Sequence, residues 1–183
     1  MIDLRKSRIA GCFQLQPKVL HDERGTFVKT FHKDIFSELE IQTAWAEEYY
    51  SISRKGVLRG LHFQLPPHDH EKLVYCVAGK VLDVVVDLRV GSPTYGRFET
   101  FEMSAETANI IYISRGLAHG FYTISDTATM IYKVSTVYAP SHDSGILWNS
   151  IGIPWPDNNP LVSKRDSEFI PFSAFKSIFK YGG

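Results

Sequence analysis

The chain has 183 residues, enough for one domain with a sizeable core, and its 20 basic and 20 acidic side chains cancel. With no net field and no basic run of five or more, charge gives nucleic acid and membrane surfaces nothing to bind. "MIDLRKSRIAGCFQLQPKVL" lacks the apolar centre of a signal peptide, and no stretch reaches the ~20 apolar residues of a membrane span. Cys12 and Cys76 are too few for a disulfide framework and lack metal-type spacing. Two reduced thiols, Cys76 reading as a small buried hydrophobe, predict a cytoplasmic protein.

In chain order, an N-terminal extension comes first. In "FHKDIFSELE", Phe31, Ile35, Phe36 and Leu39 share one face of a helix. From there the pattern switches to short alternating apolar runs: "KLVYCV", "KVLDVVVDLR", "FETFEM", "NIIYIS", "GFYTIS" and "ATMIYKVSTVY", punctuated by "AGK" and "VGSPTYG". A second helix is expected near the C-terminus, where Phe172, Phe175, Ile178 and Phe179 fall on one face. No internal repeat or interdomain linker is visible. The prediction is an all-β single domain spanning 1–183, with a jelly roll at about 45–140, an N-terminal strand extension and a C-terminal helical cap at about 160–183.

Alternation also places side chains. In "KVLDVVVDLR", Leu82, Val84, Val86 and Leu88 make one apolar face, while Asp83 and Asp87 share the other with Val81 and Val85. Such aspartates either face solvent or line a pocket. Tyr132 shares its face with Ala128, Met130 and Val134, which points the ring inward and leaves its hydroxyl needing a partner.

"GVLRGLHFQLPPHDHEKLV", residues 56–74, gathers His62, His68, His70, Arg59, Glu71 and Lys72. With His119 from "SRGLAHG", His68, His70 and Glu71 could ligate Zn²⁺, Fe²⁺ or Mn²⁺. The spacing argues otherwise, since Glu71 abuts His70 instead of following it along a strand, and "PPHDHE" reads as a solvated turn. No metal is expected.

"DERGTF", "GVLRGLHFQLPP", "KLVYCVAGKVLDVVVDLRVGSPTYG", "GLAHGF", "VYAP", "DSGILWN", "IPWP" and "SKRD" occur in the order seen in the dTDP-4-dehydrorhamnose 3,5-epimerases, which the chain resembles over roughly residues 8–166. The resemblance implies a cupin-type jelly-roll barrel, a homodimer, and a cofactor-independent, metal-free isomerase. Its substrate is then a nucleotide-diphospho-4-keto-6-deoxy sugar, inverted at C3, C5 or both in deoxysugar biosynthesis, including that of lipopolysaccharide O-antigen. A 4-keto group acidifies the hydrogens on C3 and C5 because the carbanion delocalises as an enolate, so epimerisation needs a base, an acid across the ring and donors at the enolate oxygen.

By position, the resemblance makes His62 the base, Asp166 its orienting carboxylate, Lys72 the enolate-oxygen partner and Tyr132 the acid. It adds His119 and Asp83 as pocket residues, Arg24 and Arg59 as diphosphate ligands, and Phe27 and Tyr138 as aromatic contacts. Strict alternation puts Arg59 on the opposite face from His62, so reaching one ligand requires a bulge or a strand end near Gly60. Four substrate-contact positions depart from the family pattern. Lys29 stands where a glutamate is usual, Glu47 and Tyr49 where a Gln-x-Asn pair is usual, and His70 where a glutamine is usual. These leave the nucleotide open among dTDP, CDP and GDP. A ketoisomerase on a similar sugar, a metal-dependent cupin enzyme and a non-catalytic sugar-binding module are the competing expectations.

Overall fold

Alternating apolar side chains between glycine, proline and aspartate turns give thirteen strands, described within residues 2–182 of a computed structural model. In chain order they are β1 (Ile2–Lys6), β2 (Cys12–Pro17), β3 (Val19–Asp22), β4 (Gly25–Val28), then helix α1 (Lys33–Glu38) and β5 (Glu47–Arg54). There follow β6 (Leu58–Gln64), β7 (Lys72–Ala78), β8 (Lys80–Asp87), β9 (Phe98–Ser104), β10 (Ile110–Ile113), β11 (Leu117–Thr123), β12 (Thr127–Val134), β13 (Asp143–Gly145) and helix α2 (Lys164–Ser167).

A six-stranded sheet runs β1-β2-β10-β7-β12-β5 and a five-stranded sheet β13-β6-β11-β8-β9, while β3 and β4 form a separate hairpin. The pairings are antiparallel, and strands far apart in sequence lie side by side, as in a cupin-type jelly roll. Leu15, Leu73, Ile110 and Met130 of the larger sheet meet Val81, Val85, Met103 and Phe121 of the smaller one in the main core. Burying each such side chain contributes about 1.5–3 kcal/mol.

The apolar face read on β8 belongs to a second cluster. Val84, Val86 and Leu88 pack with Leu61, Phe63, Ala118, Ile146, Ile153 and Phe179 on the other side of the five-stranded sheet. Both faces of β8 are therefore covered, which is why it reads as nearly continuous valine. Its two aspartates part company. Asp83 stands behind His119, which lines the cavity described below. Asp87 is buried and accepts from Arg89 Nε (2.9 Å) and Nη2 (2.8 Å) and from Thr94 Oγ1 (2.7 Å), pinning the "GSPT" turn.

Helix α1 forms where expected, with Phe36 buried and Phe31, Ile35 and Leu39 packed against the main core. The C-terminal helical cap does not. Only the four residues of α2 and a 3₁₀ turn at Phe172–Ala174 are helical there. Phe172, Phe175 and Phe179 do pack on the second cluster, but Ile178 is exposed and Lys180 bridges Val90 in an extended conformation. A segment laid across a sheet can dock aromatics at helical spacing without forming a helix, and Pro171 leaves the 3₁₀ turn's entry extended.

Candidate active site

The two sheets enclose a cavity of about 390 Å³ lined by Arg59, His62 and His119 from one wall and by Glu47, Tyr49, Lys72 and Tyr132 from the other. That volume lies within the roughly 300–1,000 Å³ of small-molecule sites. His62 of β6 sits directly opposite His119 of β11 in the antiparallel ladder.

The bulge that Arg59 requires is present. Between His119 and Phe121 the β6–β11 register shifts, and Gly60 takes φ +141°. A Cβ at Gly60 would stand 2.7 Å from Gly120 Cα, so the two strands approach only because both residues are glycine. The shift lets Arg59 and His62, two faces apart by strict alternation, line one cavity. Arg59 is held by Nε donating to Ser53 Oγ (2.9 Å) and Nη2 to the Ile52 carbonyl (3.3 Å).

Behind His62 stands Asp166, whose Oδ2 is 2.9 Å from His62 Nε2. Ser163 caps α2 by accepting from the Asp166 N–H at 3.1 Å, which fixes the carboxylate's approach. Asp166 also accepts from the Gly60 N–H (3.0 Å) and Arg165 Nε (3.0 Å). Burial opposes its ionisation, but His62, Gly60 and Arg165 together hold its carboxyl well below the usual range. Burial pulls the His62 imidazole below its ordinary value against the pull of Asp166, with Arg165 and Lys72 adding to the lowering. His62 is therefore neutral at pH 7.

Lys72, the first residue of β7, is buried and donates from Nζ to the His62 carbonyl at 3.3 Å. Desolvation lowers it to about 8, despite help from Asp143 and Asp83. Asp83 lies 2.7 Å from His119 Nε2, both fully enclosed. Burial raises Asp83, against the pull of His119 and Lys72. Tyr132 exchanges a hydrogen bond with Ser51 Oγ at 3.1 Å and stacks on Tyr49 at 4.8 Å, and burial drives its phenol far up, so it stays protonated. Glu47 accepts from the Tyr138 N–H at 2.7 Å, which brings Tyr138 to the cavity mouth.

Of the residues singled out in the sequence, His62, Lys72, Tyr132, Arg59, His119, Glu47 and Tyr138 meet at this cavity, with Asp166 behind His62 and Asp83 behind His119. Arg24 and Phe27 lie elsewhere, on the β3–β4 hairpin, and Lys29 follows it; none of the three lines this cavity within the same chain. Arg165 and Asp143 were not foreseen. Arg165 donates from Nη1 to Asp143 Oδ2 (2.6 Å) and places Nη2 2.7 Å from His62 Nε2. Both sit inside quoted motifs, "SKRD" and "DSGILWN", yet nothing in their spacing marks them as neighbours of His62.

His68, His70 and Glu71 do not converge. His68 packs on His142, His70 Nδ1 bonds the Gln64 amide at 3.2 Å, and Glu71 is paired with Arg115 at 3.9 Å. Among the described residues, no three His, Cys, Asp or Glu side chains cluster as metal ligands, and no helix is long and apolar enough to cross a membrane.

The sandwich and its cavity define a cupin-type jelly-roll enzyme with an imidazole on one wall and a phenol on the other. A sequence model of the dTDP-4-dehydrorhamnose 3,5-epimerases matches residues 6–174. The chain is 43% identical over 164 residues to a dTDP-4-dehydrorhamnose 3,5-epimerase of Shigella flexneri, covering 88% of this chain and 91% of that one. It is 41% identical over 168 residues to a dTDP-4-dehydrorhamnose 3-epimerase of Streptomyces niveus, covering 90% and 81%. Its fold is similar to that of the dTDP-6-deoxy-D-glucose-3,5-epimerase of Legionella pneumophila Philadelphia 1, crystallised with dTDP-4-keto-L-rhamnose, at TM-score 0.95 and 32% identity over all of both chains. The chain belongs to the dTDP-4-dehydrorhamnose 3,5-epimerase family and is an isomerase.

Proposed function

We propose that the protein epimerises a dTDP-linked 4-keto-6-deoxyhexose at C3, C5 or both, with His62 as base and Tyr132 as acid. The observation that carries this reading is that a neutral imidazole and a protonated phenol face one cavity from opposite sheets. Inversion requires that a proton leave one face of the sugar and return to the other. His62 takes the proton from carbon beside the ketone, and Asp166 stabilises the imidazolium that forms. Tyr132 then delivers a proton from the far side.

A ketone C–H is roughly a dozen pK units less acidic than imidazolium, a gap of about 16 kcal/mol at 1.36 kcal/mol per unit. Lys72 answers part of it. Buried and cationic, it can stand beside the enolate oxygen where screening is weakest. Arg59 and Arg165 supply charge for the diphosphate at the same cavity. No step calls for a cofactor or metal.

The reading extends to a cytoplasmic homodimer. Phe27 is 61% and Ile52 61% exposed, on the hairpin and on β5 at the edge of the larger sheet. An unpaired edge carrying apolar side chains needs a partner. A second copy covers these surfaces and carries Arg24, Phe27 and Lys29 to its neighbour's cavity, so one fold forms a single domain but two chains complete each site. Light scattering with size exclusion should give twice the 20.8 kDa chain mass.

The decisive test is proton exchange. Incubated with dTDP-4-keto-6-deoxyglucose in D₂O, the protein should place deuterium at C3, C5 or both, as read by NMR. His62→Ala should abolish exchange while retaining nucleotide binding. No exchange by the wild type with dTDP-, CDP- or GDP-linked substrate refutes the reading.

A further inference from the structure

Taking His62 as the base, we propose that Arg165 is a positioning residue that fixes its tautomer, holding the ring proton on Nδ1 until an anion draws the guanidinium away. Two groups address one nitrogen: Arg165 Nη2 at 2.7 Å and Asp166 Oδ2 at 2.9 Å, both from His62 Nε2. A guanidinium only donates, and an ionised carboxylate only accepts. The Arg165 contact is a hydrogen bond only when Nε2 bears a lone pair, and the Asp166 contact only when Nε2 bears a proton. Both cannot hold at once.

Hydrogen-bond satisfaction decides between them. Asp166 keeps partners without His62, because Gly60 N–H donates to Oδ2 and Arg165 Nε to Oδ1, each at 3.0 Å. Arg165 Nη2 has His62 as its acceptor among the described residues. The arrangement that leaves both Asp166 and Arg165 Nη2 with a hydrogen-bond partner puts the proton on Nδ1 and the Nε2 lone pair against the guanidinium. In that form neither ring nitrogen offers a free lone pair, and the imidazole is not a base.

Withdrawing Nη2 reverses this. One proton leaves Nδ1 and one is taken up at Nε2 through solvent, with no net change in charge. Nε2–H then donates to Asp166, and Nδ1 gains the lone pair that proton abstraction needs. The Arg165 side chain is 51% exposed, so an anion entering the cavity mouth can reach it and compete for its fork. Occupation of the site by a diphosphate and arming of the base become one event.

The test is ¹⁵N NMR of the full chain carrying ¹⁵N-labelled histidine, where protonated and bare ring nitrogens resonate far apart. His62→Gln identifies the His62 signals among the seven histidines. Ligand-free wild type should show Nδ1–H. Arg165→Met should show Nε2–H, and so should wild type titrated with inorganic pyrophosphate, which needs no variant to fold. Nε2–H in the ligand-free wild type, or an unchanged tautomer in Arg165→Met, overturns the proposal. An unchanged tautomer with pyrophosphate bound overturns the release. Exchange surviving in His62→Ala defeats the base assignment instead, and the spectra distinguish the two failures.

Discussion

Replacing Lys72 with methionine should stabilise the fold while disabling the enzyme. Lys72 is buried, donates a single 3.3 Å hydrogen bond, and has been pulled from its ordinary 10.5 to about 8. At about 1.36 kcal/mol per pH unit, that difference means its charge costs the folded state about 3 kcal/mol at neutral pH. The sign follows from proton counts. Between pH 8 and 10.5 the unfolded chain binds the proton and the folded chain does not, so wild-type stability rises with pH across that window. Below it both states are protonated and the full cost remains.

Lys72→Met keeps the length of the side chain and removes the charge, so the variant should exceed wild type by about 3 kcal/mol at pH 7 and by only about 1.4 kcal/mol at pH 9.5. With a urea m-value of about 2 kcal/mol/M, the neutral-pH midpoint moves up by about 1.5 M. Exchange at the substrate carbon should fall by about 10²–10³ for want of an oxyanion partner. A variant no more stable than wild type at pH 7, or a gap that does not narrow as pH rises, would refute the claim that Lys72 is held at an electrostatic cost.

Because His62 is pulled below its ordinary 6.5 by burial, kcat/KM should stay flat down to that pH and fall only below it, as the base protonates. An acidic limb centred above 6.5 contradicts a desolvated imidazole, whereas a basic limb near 8 belongs to deprotonation of Lys72. Gly60→Ala forces a Cβ to 2.7 Å from Gly120 Cα at φ +141°, and should cost more than about 2 kcal/mol by urea unfolding while impairing any ligand contact that needs Arg59. Asp87→Ala leaves the buried Arg89 without its carboxylate and should cost about 3–5 kcal/mol, read as a fall in thermal midpoint, although it lies outside the cavity.

Sequence alone determined the strands, because a side-chain period of two is a local property that survives any tertiary arrangement. It determined that β8 has a wholly apolar face and that Tyr132 points inward. Once the family resemblance put Arg59 and His62 on one ligand, it also required a bulge or a strand end near Gly60, because alternation alone puts them on opposite faces. Three things needed the folded chain. The aromatics at 172–179 have helical spacing, but they dock on a sheet, and only the surface beneath them decides that they run as an extended strap. Asp83 and Asp87 are equivalent by alternation, yet one meets His119 and the other Arg89, because strand neighbours differ from one end of β8 to the other. Arg165 reaches His62 across 103 residues of sequence, and Asp143 holds it there from another strand, a pairing that no spacing encodes. A contact between distant segments depends on how sheets pack, and that is set by the whole chain at once.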